Sequence, residues 1–209
     1  MPEHRSPYEA VFSGIPESLH PKLRTYFSAI PIGHHGFGEG RFNTVGTPRR
    51  WLWPVIWLVG RPDILFPVWQ RDVPFTVINR PVVGRWPAIG ASRVFELAGG
   101  RRIMTDAISA CPDGLVDYLG ARRRMRAHLA ASVRGGALNL ASTGVALRLG
   151  RRWLGIPRWL APTVTLTERF SDEDCRQHVE VVLAMPLIGT VYEYAGSFTY
   201  EIRSGEGTA

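Results

Sequence analysis

Apolar and polar residues alternate at every second position through most of the chain from Val73 onward. Runs with this period include VPFTVIN, ASRVFEL, RRIMTDAIS, TVTLTERF and TVYEYAGSFTYEIR, and turn sequences such as Gly-Gly and Pro-Asp-Gly separate them. The pattern predicts about eight to ten antiparallel strands over residues 72–203. A meander of this kind closes into a lipocalin-like up-and-down barrel or forms a strongly curved sheet, so we predict a mainly β (α+β) fold.

The N-terminal part follows a helical period instead. Ser6, Pro7 and Glu9 are typical of a helix N-cap, first position and first turn, so short helices are predicted over about residues 6–30. The glycine-rich stretch GHHGFGEG (33–40) is predicted to be a loop, and RFNTVG after it a strand. No linker, repeat or low-complexity tract divides the chain, which predicts one domain over residues 1–209.

The segment PRRWLWPVIWLVG (48–60) concentrates three tryptophans behind two arginines. Its apolar run is about ten residues long, whereas a bilayer-spanning helix needs roughly 20. Prolines at positions 54 and 62 restrict it to short helical pieces. We predict a helical cap over one end of the barrel, at about residues 48–69. Its tryptophans either close the core or, as we favour, line the entrance of an apolar pocket.

Twenty-five basic against eighteen acidic side chains give the chain a formal net charge of +7. Such an excess favours an anionic partner, but no basic helix or RNA-reading aromatic motif accompanies it, so nucleic acid is not predicted. Attachment to a membrane surface through the tryptophans and arginines is a less favoured option. Cys111 and Cys175 lie far apart and no secretory signal precedes them, which predicts a reduced, cytoplasmic setting. A homodimer is left open.

Two carboxylates fall in phase with the apolar face of their strands. Glu168 alternates with the apolar residues of TVTLTERF, and Asp106 with those of RRIMTDAIS. A carboxylate inside a barrel has its pKa raised by desolvation, which suits a general acid or base near neutral pH. The alternative is a structural ion pair with one of the many arginines. His34 and His35, in the predicted loop, are candidates for a proton shuttle at the barrel mouth.

The C-terminal strand carries an aromatic stripe. Tyr194 on this stripe is a candidate to donate its hydroxyl into a cavity, and the alternative is a plain core stripe. The predicted substrate-binding residues are Trp51, Trp53, Trp57, Trp69, Phe75, Met104, Tyr192 and Phe198. A further set, expected to form an exposed basic ladder on one strand face, is Arg122, Arg124, Arg126 and His128.

Signatures of metal, phosphate and nucleophile chemistry are missing from the sequence. No spacing of histidines and cysteines completes a metal site, so no metal is predicted. The pattern of glycines at 36, 38 and 40 lacks the G-x-G-x-x-G spacing of dinucleotide-binding proteins. No G-x-S-x-G elbow, P-loop or H-E-x-x-H motif is present.

Four blocks give the chain a family resemblance: GTPRRWLWP, DVPFTVINRP, IPRWLAPTVTLTERF and MPLIGTVYEYAGSF. In their order and spacing they resemble the bacterial family known as domain of unknown function 4166, over nearly the whole chain from about Tyr8 to Ile202. Members of that family occur alone or behind an NAD(P)-binding reductase-like domain. This chain lacks such a domain, so the resemblance implies no nicotinamide cofactor, and it brings no catalytic residues to carry over.

These features predict a cofactor-independent cyclase or isomerase. A bulky apolar intermediate, polyketide-like or terpenoid-like, would be held in a reactive conformation in the barrel, away from water. Proton transfer would come from Glu168, Asp106, a tyrosine or the two histidines. The alternative is a non-catalytic carrier of a small hydrophobic molecule, or an accessory module of a separate reductase, which needs the same cavity but no acid or base.

Overall fold

The computed structural model of the protein describes residues 5–59 and 64–205. The helices in these residues are α1 (Pro7–Phe12), α2 (Pro21–Phe27), a short 3-10 helix (Arg50–Leu52) and α3 (Trp53–Val59). The strands are β1 (His34–Gly46), β2 (Trp69–Pro81), β3 (Ala88–Leu97), β4 (Gly100–Cys111), β5 (Gly114–Leu119), β6 (Met125–Arg134), β7 (Ala137–Leu149), β8 (Arg152–Gly155), β9 (Thr163–Ser171), β10 (Arg176–Met185) and β11 (Gly189–Ser204).

Ten of these strands form a closed antiparallel barrel. Each strand from β1 to β7 pairs with the next, β7 continues to β9, β10 and β11, and β11 pairs back with β1. The predicted fold class, a mainly β antiparallel barrel with short helices, is confirmed. The connections β1–β2, β3–β4, β5–β6, β7–β9 and β10–β11 lie at one end, which we call the upper end. The other end is the lower end.

Strand β7 divides one of its edges between two partners. Its first residues, Leu138–Ala141, pair with β9, whereas Ala146–Leu149 pair with the short strand β8. Above Ala141, a hydrogen bond from the Val164 amide to Ser142 Oγ, 2.8 Å long, joins β9 to β7. The two strands therefore separate towards the upper end of the barrel, and we call this line of separation the seam.

The glycine-rich segment that was predicted to be a loop forms the first half of β1. A Cβ atom at Gly36 would lie 1.6 Å from Tyr200 Oη, and one at Gly40 would lie 2.1 Å from the carbonyl oxygen of Ser197. These glycines thus allow β11 and its aromatic side chains to approach β1 closely. The loop prediction was wrong because a strand that needs glycine for close packing has the composition of a turn.

Helices α1 and α2 close the lower end of the barrel. Ser6 caps α1 by accepting a hydrogen bond from the Glu9 amide at 3.0 Å, and its hydroxyl donates to the Phe27 carbonyl oxygen at 2.6 Å. The ring of Tyr26 packs against Tyr200 of β11, with 4.5 Å between the ring centroids. The amide of His20 donates to a carbonyl oxygen in the β6–β7 turn. Both helices are therefore anchored to each other and to the barrel.

The tryptophan-rich segment lies over the upper end, as a short helical cap. Leu52 and Ile56 are buried and pack against Val191 of β11 and against apolar residues of the β10–β11 connection. Strand β2 begins at Trp69, three residues before the predicted start at 72. Strand β6 begins only at Met125, so the preceding arginines occupy a turn and do not form the expected ladder.

Candidate functional site

A cavity of about 100 Å³ lies in the upper half of the barrel. Its wall is mostly apolar and reaches the upper ends of four strands, at Leu119, Met125, Val164 and Leu183. Leu65, from the connection before β2, lines it as well. Because an apolar cavity of roughly 150 Å³ holds benzene, this one has room for a group up to about the size of a small ring.

Three charged side chains on adjacent strands interrupt the apolar wall. They are Arg93 on β3, Asp106 on β4 and Asp117 on β5. Arg93 Nη1 donates to Asp106 Oδ1, and both side chains are largely withdrawn from solvent. Burial acts to lower the pKa of Arg93, but the Asp106 carboxylate raises it, so the guanidinium stays charged. Asp106 therefore faces the cavity, as its phase predicted, and forms the ion pair with an arginine that the structural alternative expected.

Asp117 differs from Asp106 because one of its oxygens has no partner. Its Oδ1 atom is buried and makes no hydrogen bond. Burial, and next the negative charge of Asp106, raise the pKa of Asp117 well above its ordinary value, while Arg93 acts in the opposite direction. The cavity wall therefore presents a carboxyl group that keeps its proton to a higher pH than an exposed aspartate does, with one oxygen free for a ligand.

Glu168 points into the barrel, as its phase in β9 predicted. The cavity wall ends at Leu166, so Glu168 lies one layer below it. Its Oε2 atom accepts a hydrogen bond of 2.5 Å from Gln177 Nε2. Burial raises the pKa of Glu168 to about 7, against the opposing effects of Arg93 and of that hydrogen bond. Glu168 is therefore a buried group that titrates near neutral pH.

The aromatic stripe of β11 contributes to both the cavity and the core. Tyr194 and Tyr192 line the cavity, together with Met104 of β4. Burial raises the pKa of Tyr194 to about 12, so its hydroxyl keeps its proton at neutral pH. Phe75 and Phe198 pack against each other in the adjoining core, with 5.7 Å between ring centroids.

The other predicted site residues lie away from the cavity. Trp51 and Trp57 point outward from the cap and are 61% and 77% exposed. The side chains of Trp53 and Trp69 are half-buried and do not line the cavity. The structure therefore does not place the tryptophans in a pocket wall, because the aliphatic residues of the cap occupy its inner side.

The two histidines belong to the lower end, where β1 begins. His34 Nδ1 lies 3.1 Å from the carbonyl oxygen of Ile32, and His35 Nδ1 lies 2.8 Å from that of Gly205. Neither residue lines the cavity. With the segment folded as a strand and directed away from the upper end, these histidines have no route to the charged residues of the cavity.

Arg93 and Asp117 were not among the predicted site residues. Both carry the signal that identified Glu168: Arg93 is in phase with Phe95 and Leu97, and Asp117 is in phase with Leu115 and Leu119. The same alternation rule, applied to every strand, would have found them. Nothing in the sequence indicates that one arginine and two aspartates meet, because this depends on the register of β3, β4 and β5.

The described residues contain neither a cluster of metal-ligating side chains nor a helix that could span a bilayer. No group of three or more His, Cys, Asp and Glu side chains in residues 5–59 and 64–205 is arranged to hold a metal ion. No helix in the same ranges is both long enough and apolar enough to cross a bilayer.

Comparison with known proteins identifies relatives but no activity. The chain is similar to the uncharacterized protein YndH of Bacillus subtilis (strain 168), with 26% identity over 198 residues, which cover 88% of this chain and 92% of that protein. No solved structure matches the chain. The family model described as domain of unknown function (DUF4166) matches residues 19–198, so the chain belongs to the DUF4166 family.

Proposed function

We propose that the protein is a cofactor-independent isomerase or cyclase for an apolar small molecule, of polyketide or terpenoid character, bound in the barrel. The observation that supports this most is the buried, unpartnered oxygen of Asp117 in a mostly apolar cavity that Arg93 and Asp106 also line. Leaving a buried carboxyl group without a partner destabilises a fold, and such groups with perturbed pKa values concentrate at functional sites.

The proposed reaction moves a proton between two carbons of one molecule. Asp117, in its ionised form, takes a proton from a carbon beside a carbonyl group, and the electron pair of the broken C–H bond becomes part of an enolate. Arg93 stabilises the negative charge on the enolate oxygen. Asp117 then returns this proton, or one exchanged with solvent, to another carbon of the molecule. In a cyclase the enolate carbon instead adds to a second carbonyl carbon of the same molecule, the C=O π bond breaks, and the resulting alkoxide takes the proton from Asp117. The raised pKa makes Asp117 a stronger base than an ordinary aspartate.

The size of the cavity limits how a substrate is held. A drug-sized ligand occupies a pocket of roughly 300–1,000 Å³, and this cavity has about 100 Å³. In the proposal only a reactive ring or chain end lies beside Asp117. The rest of a larger molecule would extend past Leu65 towards the upper end.

The proposal is tested with a small open-chain enolisable probe, 4-penten-2-one, whose isomerisation to the conjugated 3-penten-2-one is followed by ultraviolet absorbance. Replacing Asp117 by asparagine keeps the shape of the side chain but removes the base, so we expect the rate to fall by about 100-fold or more. Asp113→Asn, in the exposed β4–β5 turn, is the matched control and should leave the rate unchanged.

A carrier is the second candidate, and the largely apolar cavity lining favours it. Deuterium uptake from heavy water into the probe distinguishes the two functions. If the protein is an isomerase, it exchanges the probe's carbon-bound hydrogens for deuterium, and Asp117→Asn abolishes the exchange. If it is a carrier, the probe raises its melting temperature but no hydrogen is exchanged. Equal exchange by wild type and Asp117→Asn would remove Asp117 from the mechanism.

A further inference from the structure

The upper end of the barrel carries an unusual concentration of arginines. We call residues 47–57, 120–124, 147–160 and 186–188 the upper rim. These four segments contain nine arginines and not one aspartate or glutamate. No ion pair of the described residues joins a rim arginine to a carboxylate. The formal positive charge of the upper rim alone is therefore larger than the net charge of +7 that the whole chain carries.

The same rim exposes large apolar side chains. Nine of the thirteen exposed large hydrophobic residues in the described part of the chain belong to it: Trp51, Val55, Trp57, Leu147, Leu149, Leu154, Trp159, Leu160 and Leu187. They come from the upper end of β7 and from the connections β1–β2, β7–β9 and β10–β11 around the barrel mouth. Exposed apolar residues gathered in this way mark an interaction surface and are not the scattered exposure of an ordinary surface.

Part of the rim forms a depression suited to an anion. Arg122 and Arg124 of the β5–β6 turn face Arg148 of β7 across it, and Leu149 and Gly150 complete its wall. Guanidinium groups are the preferred partners of phosphate oxygens because they donate in a planar fork. Three of them around one depression favour a phosphate group as occupant.

The lower end has a different character. Its helices and turns contain carboxylates as well as basic residues: Glu9, Glu17, Asp113, Asp172, Glu173 and Asp174. The protein thus has one basic and apolar end and one end of mixed charge. A nucleic acid would bind the arginines electrostatically but would leave the exposed leucines in water. A bilayer surface accommodates leucines, tryptophans and arginines together.

We propose that the upper rim docks on an anionic lipid bilayer. The tryptophans and leucines insert between the lipid headgroups, and the arginines, including those around the depression, bind the lipid phosphates. The cavity then faces the membrane, because it lies in the half of the barrel nearest the rim. The proposal goes beyond the acid–base function and does not depend on it.

The test is flotation with vesicles of phosphatidylcholine alone and of phosphatidylcholine mixed with phosphatidylglycerol. We expect the wild type to bind the mixed vesicles and to be released as salt is raised. Arg122→Gln with Arg124→Gln should lower the partition coefficient more than tenfold, because each arginine near an anionic surface contributes about fivefold. Trp57→Ala with Trp159→Ala should lower it by a similar factor.

Matched controls are available at the lower end. Arg85→Gln with Trp86→Ala removes one exposed arginine and one exposed tryptophan from the β2–β3 connection and should leave vesicle binding unchanged. Three results would each overturn the proposal. They are equal binding to both kinds of vesicle, loss of vesicle binding in the lower-end variant, and binding to a DNA duplex but not to vesicles. Asp117→Asn should bind vesicles like the wild type, so the two proposals fail separately.

Discussion

Among the described residues, three carboxyl groups share the barrel interior with one guanidinium group. Asp106, Asp117 and Glu168 all point inward, and Arg93 forms an ion pair with only the first. In a medium of low polarity, several like charges with one counter-charge repel strongly. Burial is the main cause of the raised pKa values of Asp117 and Glu168, and the charge of Asp106 adds to it, since retaining a proton removes a negative charge from the interior.

Glu168 makes the stability of the fold depend on pH. Its pKa is 4.5 for the exposed group and about 7 in the folded chain, so between these values the folded state binds the extra proton. Stability from this group therefore falls as pH rises from about 4.5 to 7 and stays low above that range. We expect Glu168→Gln to abolish this fall and to raise the free energy of unfolding at pH 8 by on the order of 2–3 kcal/mol.

Urea unfolding of both proteins at a series of pH values measures the effect. Glu173→Gln, in the exposed β9–β10 turn, is the control and should keep the pH dependence of the wild type. If Glu168→Gln is less stable than the wild type at pH 8, the glutamate is ionised in the folded chain and the assigned pKa is wrong.

For single residues, the sequence predicts which face of a strand a side chain occupies better than it predicts which residue that side chain contacts. Strand phase was enough to turn Glu168 and Asp106 inward, because side chains alternate between the two faces of a strand. The partners of these groups depend on register: Asp106 lies directly opposite Ala91 and reaches Arg93 diagonally. One sequence does not specify such a diagonal contact.

The cap at the upper end shows how an element divides its residues between core and solvent. Leu52 and Ile56 are four positions apart and fall on the buried side, while Trp51 and Trp57 fall on the opposite side. The prediction of a pocket wall relied on the composition of the segment. Its helical period, applied to the same residues, separates the two aliphatics from the two tryptophans.

Substitutions in the cap should therefore have unequal effects on stability. Ile56→Ala removes a buried side chain that packs on Val191, and we expect a loss of about 2–4 kcal/mol. Trp57→Ala removes a larger but exposed side chain and should change the free energy of unfolding by less than about 0.5 kcal/mol. Thermal and urea unfolding compare the two variants, and equal losses would contradict the assigned orientation of α3.

The whole molecule depends on the pairing of its first and last strands. Strand β1 pairs with β11 from His34 with Ser204 up to Gly46 with Glu193, and β11 also pairs with β10. Without β11, both neighbouring strands would have an unpaired edge, and the aromatic stripe would be missing from the core.

A chain that ends after Ile188 should accordingly lose its cooperative thermal transition. Adding a synthetic peptide of residues 189–204 is expected to restore it, since β11 contributes its hydrogen bonds and its buried rings as one unit. Circular dichroism during heating measures the transition, with a peptide of scrambled sequence as control. A cooperative transition in the shortened chain alone would show that closure of the barrel is dispensable.

The barrel is predictable from the sequence because its strands alternate regularly and its turns are short. The pairing of β8 with the edge of β7 and the size of the cavity are not predictable from the sequence. The cavity depends on how far the helices at the lower end and the cap at the upper end penetrate the barrel, and local patterns do not encode this depth. The concentration of arginines at one end likewise depends on the barrel, which brings the connections β1–β2, β5–β6 and β7–β9 together there.

The seam between β7 and β9 has a kinetic consequence. A ladder of backbone hydrogen bonds resists separation cooperatively, whereas in the upper part of the seam the Val164 backbone amide donates to the Ser142 hydroxyl oxygen. Val164 also belongs to the cavity wall. For the ligand proposed above, we expect the residence time to depend on how often this part of the wall opens, and the affinity to depend on the cavity itself. Binding strength and rate of exchange become separately adjustable.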